Sequence, residues 1–115
     1  MSKKLRNLQT LHTHILRGEV EFNAPMSYDI VHSETGKVVN TINFQKGPVQ
    51  EAGLNGVFLE DLLLIAIDQI EHFQNSDFAC EENADTLTHL RNALATTRAR
   101  QYERSLRNVQ GRNLK

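Results

Sequence analysis

From Asn55 to Gly111 the sequence has the periodicity of a two-helix hairpin, predicted over Phe58–Gln74 and Phe78–Val109, and this limits what the remaining residues can form. In the first helix Leu59, Leu62, Leu63, Ala66, Ile70 and Phe73 recur at helical spacing, while Leu64, Ile65 and Ile67 form a second apolar face. One partner helix covers one such face, so the other needs a different partner. Asp77 is placed to cap the second helix, and Glu81 and Glu82 fall in its first turn, where the helix dipole favours negative charge. Run unbroken to Val109, that helix is a rod of roughly 45 Å at about 1.5 Å per residue. A compact domain of this size has a radius of gyration of only about 13 Å. The far end must project or pack on another copy of the chain, and the expectation is an obligate homo-oligomer.

Composition points the same way. The 115 residues suit a single domain, yet 39% are hydrophobic and there are only five Phe, two Tyr and no Trp, a thin core for a monomer. The 13 basic residues are offset by 14 acidic ones, a net charge of −1 that argues against general nucleic-acid binding, so any polyanion must be met by a local patch. The single cysteine, Cys80, excludes an internal disulfide framework and suits a reducing compartment. No apolar segment follows the basic start, and no run approaches the roughly 18 apolar residues of a membrane span. A cytosolic protein is expected.

Residues 1–14 are polar and mixed, and a frayed N-terminus is predicted there. An antiparallel β unit is expected over residues 15–48. Its first strand runs from Ile15 to Phe22 and is broken by Asn23-Ala24-Pro25. Next comes a hairpin in which Tyr28, Ile30 and His32 alternate with Ser27, Asp29 and Val31, then turn through Ser33–Lys37 into an alternating Val38–Phe44. Gly36 suits a left-handed or bulge position in that turn. Gly47-Pro48, Gly53 and Asn55-Gly56 punctuate the approach to the helices, and the hairpin follows over residues 55–111. The expected class is α+β: a small N-terminal antiparallel β-sheet, then a long C-terminal two-helix antiparallel hairpin that oligomerises.

Few residues suggest chemistry. His12 and His14 form a His-x-His pair, but no further ligands stand at metal-site spacing, so no metal site is expected. Thr35-Gly36-Lys37 lacks the flanking residues of a phosphate loop and reads as a turn. Cys80 opens an amphipathic helix and reads as packing rather than as a nucleophile, while Glu81 and Glu82 are adjacent and point to different helix faces. No catalytic residue and no cofactor are expected, and the protein is read as a non-enzyme. The arginines say more. Arg100, Arg104 and Arg107 share one helical face, with Arg91, Arg98 and Arg112 around it. A solvated basic face is the plainer account of that spacing, and bidentate phosphate binding the sharper one. Phe73 and Phe78 at the hairpin turn are most simply core residues, though an aromatic ring plus several arginines is also what a nucleotide site needs.

Several passages are familiar together: Phe44-Gln45-Lys46-Gly47-Pro48, Gly53-Leu54-Asn55-Gly56-Val57, Glu60-Asp61-Leu62-Leu63, Phe73-Gln74, Phe78-Ala79-Cys80-Glu81-Glu82-Asn83-Ala84 and the closing arginine-rich helix. Over about residues 27–112 the chain resembles a family of bacteriophage immune-evasion proteins, the Thoeris anti-defence protein one sponges, whose helical hairpin is shared with the second anti-CBASS protein. The resemblance implies a homo-oligomer, dimers assembling into hexamers, acting in the host bacterial cytoplasm during infection. It implies capture, without degradation, of cyclic ADP-ribose isomers made by the host's TIR-domain protein. Some relatives also hold cyclic di- or trinucleotides of the CBASS system at a second set of sites, a ligand class the resemblance leaves open here. Carried onto this chain, the family's base-stacking ring falls at Phe73, its polar contact at Asn83, and its phosphate-binding arginines at Arg100 and Arg104; Phe44 and Gln45 are further ligand-binding candidates. The chain departs from the family at Asn108-Val109-Gln110-Gly111, where members commonly close with Gly-Val-Glu-Gly, and over its first 20 or so residues. The rival from another class is a small phage scaffolding or assembly protein that uses the hairpin only to oligomerise.

Asn83 and Arg100 lie on one predicted helix, their backbones roughly 25 Å apart at about 1.5 Å per residue. A compact cyclic nucleotide does not bridge that distance. If both touch one ligand, they come from different chains packed antiparallel, and the same packing covers the second apolar face of the first helix.

Overall fold

The structure, a computed structural model, describes residues 7–111, with side chains through Leu106. It comprises two compact units, the first ending at Phe58 and the second beginning at Leu59. The class is α+β, an antiparallel sheet followed by a helical hairpin.

In the first unit β1 (Thr13–Arg17) starts before the expected Ile15. Thr10 sets that start: its Oγ1 accepts the Thr13 N–H at 3.0 Å and lies 2.6 Å from Thr13 Oγ1. The expected Ile15–Phe22 strand is in fact divided. β1 stops at Arg17, and β2 (Val20–Glu21) and β3 (Ala24–Pro25) form a separate small hairpin. Its turn residues Phe22 and Asn23 have φ of 54° and 76°. Two successive left-handed residues match the twist of a two-residue hairpin, so Asn23 is the turn itself and Ala24-Pro25 the returning strand.

β4 (Ser27–His32) lies between β1 and β5 (Val38–Asn43), antiparallel to both. Val31, central in this sheet, is 1% exposed. Pairing shifts between Ile30 and Val31, so that Ile30 faces Asn40 and Val31 faces Val38, leaving Val39 as the extra residue of a bulge. The β4–β5 turn has Gly36 at φ 75°, the left-handed position expected of it, and His32 Nδ1 accepts the Glu34 N–H at 3.1 Å. Beyond β5 a one-turn helix, α1 (Val49–Ala52), stands where the sequence shows only turn residues. The chain then returns to pair with the end of β5, Gln45 N–H donating to Val57 O at 2.9 Å. Gly56 permits this approach: a Cβ there would lie 2.4 Å from the Phe44 carbonyl carbon.

The second unit is the hairpin of α2 (Leu59–Gln74) and α3 (Glu81–Gly111), 16 and 31 residues long. Ile67, 8% exposed, and Leu87, 7% exposed, form its buried centre. On α3 the half-buried or buried positions Asn83, Leu87, Leu90, Leu94 and Thr97 step alternately by four and three, the seam of a coiled-coil pair, whereas α2 has a broader covered face of Glu60, Leu62, Leu63, Ala66, Ile67, Ile70, Glu71 and Gln74. Ile67, expected on the outer face with Leu64 and Ile65, is therefore a seam residue, whereas Leu59 and Phe73, expected inside, are 53% and 44% exposed. Arg91 Nη2 to Glu71 Oε2 at 2.6 Å and Arg98 Nε to Glu60 Oε2 at 2.5 Å tie the antiparallel helices together. Exposed pairs of this kind are worth about 0–1 kcal/mol each, so they set register more than stability. Among the described residues only Val31, Ile67 and Leu87 are buried, and no helix is long and apolar enough to cross a membrane.

Candidate functional site

The hairpin turn is held by side chains acting as backbone. The Gln74 amide accepts the Cys80 N–H at 2.9 Å and donates to Cys80 O at 3.0 Å, closing the loop as a strand partner would. Ser76 Oγ donates to Phe73 O at 2.6 Å and accepts the Phe78 N–H at 3.1 Å. Because these bonds keep residues 75–80 out of a helix, α3 begins at Glu81 rather than Phe78. Its cap is Cys80, not Asp77: Sγ accepts the Asn83 N–H at 3.4 Å, a weak acceptor in the position a hydroxyl or carboxylate usually fills. Cys80 is exposed, so the packing role expected of it is replaced by capping. Glu81 and Glu82 occupy the first turn as anticipated.

This turn places Phe73 on the outside. Leu64, Ile65, Asp68, Gln69, His72 and Phe73, all on the outer side of α2, line an open depression of about 520 Å3. Neither Phe73 nor Phe78, 74% exposed, is a core residue. His72 Nδ1 lies 2.8 Å from the Asp68 carbonyl oxygen and 3.6 Å from its carboxylate. That carbonyl, then the Asp68 carboxylate and more weakly Glu71, raise the His72 pKa above the ordinary imidazole value. Asn83 lies at the same end of the hairpin, half-buried in the first turn of α3.

The arginines divide into two kinds. Arg91 and Arg98 are engaged with α2 carboxylates. Arg100 and Arg104 are exposed and have no ion pair or hydrogen bond from their side chains among the described residues. Both follow Arg98, whose contact with Glu60 marks the start of α2, so this part of α3 has run past its partner helix. Continuing the three-and-four alternation from Thr97 reaches Gln101 and Arg104: the seam turns polar beyond the first residues of α2. Tyr102, 67% exposed, and Leu106, 41% exposed, stand on the same stretch. Arg107 and Arg112 fall outside the described side chains.

Phe44 and Gln45 belong to the first unit and are engaged there. Phe44 meets Tyr28 edge to face, ring centroids 5.8 Å apart. Gln45 Nε2 donates to Gly53 O at 2.7 Å and to Gly47 O at 3.1 Å, while Oε1 accepts the Asn55 N–H at 2.8 Å. Asn55 reciprocates, accepting the Lys46 N–H at 2.8 Å and donating to Lys46 O at 2.9 Å. These two amides clasp the loop that carries α1. Among the described residues no three His, Cys, Asp or Glu side chains gather as a metal site would require, His12 and His14 included.

Sequence reasoning missed Asp68, Gln69 and His72, whose common face with Ile65 is legible only once the seam is located. It also missed both amide clasps, because an amide's partners depend on turn geometry rather than on spacing.

A family model described as the Acb2/Tad1 hairpin domain matches residues 36–101, which takes in Phe73, Asn83 and Arg100 but stops short of Arg104. The chain is also 36% identical over 131 aligned positions to Thoeris anti-defense 1 of Bacillus phage SBSphiJ7, spanning 90% of this chain and 92% of that protein.

Proposed function

Because the chain belongs to the Acb2/Tad1 hairpin family, we propose that it is a phage anti-defence protein that sequesters a host immune signalling nucleotide without breaking it. The ligand is a cyclic ADP-ribose isomer of the Thoeris system, and the place of action is the cytoplasm of the infected bacterium. What carries the proposal is the division among the arginines of α3: two are spent on the hairpin, while Arg100 and Arg104 stand exposed and unpaired among the described residues. Guanidinium groups in that condition hold phosphates bidentately with no internal ion pair to break first.

Phe73 stacks on the base and Asn83 supplies a polar contact beside it. Asn83 and Arg100 are about 25 Å apart along α3, so one pocket takes Phe73 and Asn83 from one chain and Arg100 and Arg104 from another. The working unit is an antiparallel dimer or a hexamer built from such dimers. Two observations support this packing: the described core is thin, and Leu64, Ile65 and Phe73 on the outer side of α2 are exposed apolar side chains among the described residues. Gln45 and Phe44 have structural contacts that account for them, and the proposed pocket does without them.

Uncovered apolar surface also suits an assembly protein that oligomerises and binds no nucleotide. One experiment separates the two. The purified protein is incubated with lysate containing the TIR product, washed and heat-denatured, and the supernatant is analysed by mass spectrometry. Intact nucleotide supports capture, altered nucleotide points to an enzyme, and no nucleotide leaves the assembly role.

A further inference from the structure

We propose that His72 is a second ligand contact beside Phe73, recognising an anionic oxygen of the captured nucleotide and making capture depend on pH. The inference rests on the capture reading above and adds to it a residue and a chemical switch. His72 and Phe73 line the same open depression, which puts the imidazole beside the place where a base stacked on the ring carries its sugar and phosphate.

The orientation of the imidazole is set from one side. Nδ1 is 2.8 Å from the Asp68 carbonyl oxygen, an acceptor with no proton to give, so Nδ1 carries the hydrogen and donates. In the neutral ring Nε2 then presents a lone pair, which repels an anionic oxygen. Protonation turns the same atom into an N–H donor with a positive charge behind it. No contact to Nε2 is present among the described residues, and the side chain is 78% exposed. The charged groups that act on it are Asp68 and Glu71 of α2, and Glu71 is itself paired with Arg91 of α3 at 2.6 Å. Asp68 and Glu71 favour the imidazolium and so extend the donor form toward neutral pH. The loss of a pH response in His72→Gln is what assigns that response to the imidazole.

Calorimetric titrations with cyclic ADP-ribose, and with neutral adenosine as a base-only control, test this from about pH 5.5 to about pH 8.5, either side of the ordinary imidazole value of about 6.5. Wild-type affinity for cyclic ADP-ribose should fall about three- to tenfold over that range, the size expected of a charge-assisted contact weakened by exposure. Adenosine binding should not change. His72→Gln should remove the pH response, and His72→Arg should bind at high pH as tightly as at low. In NMR titrations the His72 imidazole midpoint should rise further when cyclic ADP-ribose is bound. A wild type that binds cyclic ADP-ribose with a flat pH profile, or a His72→Gln variant that keeps the slope, overturns the role of His72 and leaves capture standing. A wild type that binds no cyclic ADP-ribose at any pH and releases no nucleotide on heating removes the capture reading and this inference together.

Discussion

Phe73 has almost half its surface in solvent at the last turn of α2, which is costly for a phenylalanine unless something covers it. In the proposed pocket that something is a nucleobase. Losing a base stack commonly costs about 1–3 kcal/mol, or roughly one to two orders of magnitude in affinity. Phe73→Ala should weaken ligand binding by that amount in calorimetry while sizing finds the oligomer unchanged; dissociation or unfolding would assign the ring to packing between copies. Arg100 and Arg104 differ from Arg91 and Arg98 in having no side-chain partner among the described residues. Arg100→Ala and Arg104→Ala should each lower affinity, and the lysine variants should recover it only in part, because an ammonium keeps the charge and loses the bidentate fork. Titrations matching wild type for both alanine variants would return these residues to an ordinary solvated basic face.

At the scale of elements, the hairpin is a seam with its turn stapled by Gln74, and the first unit is a sheet with its loop stapled by Gln45 and Asn55. Two glycines of the first unit separate two physical causes. At Gly36 the constraint is the backbone angle, φ 75°, with open space where a Cβ would go. Gly56 is limited by space instead, since its Cβ would sit 2.4 Å from a backbone carbon that cannot rotate aside. Gly36→Ala should cost about 1–2 kcal/mol, the left-handed penalty of an L-residue. Gly56→Ala forces the Phe44–Val57 pairing apart, and overpacking of that kind costs about 1–3 kcal/mol on top of the lost ladder bonds. Urea unfolding should therefore give a lower midpoint for Gly56→Ala than for Gly36→Ala, and the reverse order would mean that the return of the chain along β5 is looser than its hydrogen bonds suggest.

For the whole molecule the decisive question is whether one pocket draws on two chains. Suppose Phe73 and Asn83 come from one chain of an antiparallel dimer and Arg100 and Arg104 from the other. A homodimer of Phe73→Ala damages both pockets, and so does a homodimer of Arg100→Ala. In a mixed dimer one pocket carries both lesions and the other neither. Co-refolding the two variants should recover high-affinity binding at about one intact site per mixed dimer, provided the pockets are independent, while neither variant alone recovers it. Mixed dimers verified by mass spectrometry that bind no better than their parents would place the two residues in separate sites, whatever the fate of nucleotide capture.

Much of the architecture follows from the order of residues alone. Helix and strand periods are local: the apolar spacing in 58–74, the alternation around Gly36 and the acidic first turn of α3 each depend on near neighbours, and each predicted its element. So did the long α3, whose length alone exceeds anything the short α2 can cover. Tertiary structure decided what periodicity leaves open. A 3.6-residue period separates Ile67 from Phe73 but does not say which of them meets the partner helix, and the seam put Ile67 inside and Phe73 outside. Helix starts within the turn depended on where the Gln74 amide found its partners, so Cys80 rather than Asp77 became the cap. Which arginines are engaged was settled across the hairpin, by Glu71 and Glu60 meeting Arg91 and Arg98. The six arginines from Arg91 to Arg112 look alike in the sequence, because charge and spacing are properties of one segment, whereas an ion pair requires a second segment brought within about 4 Å.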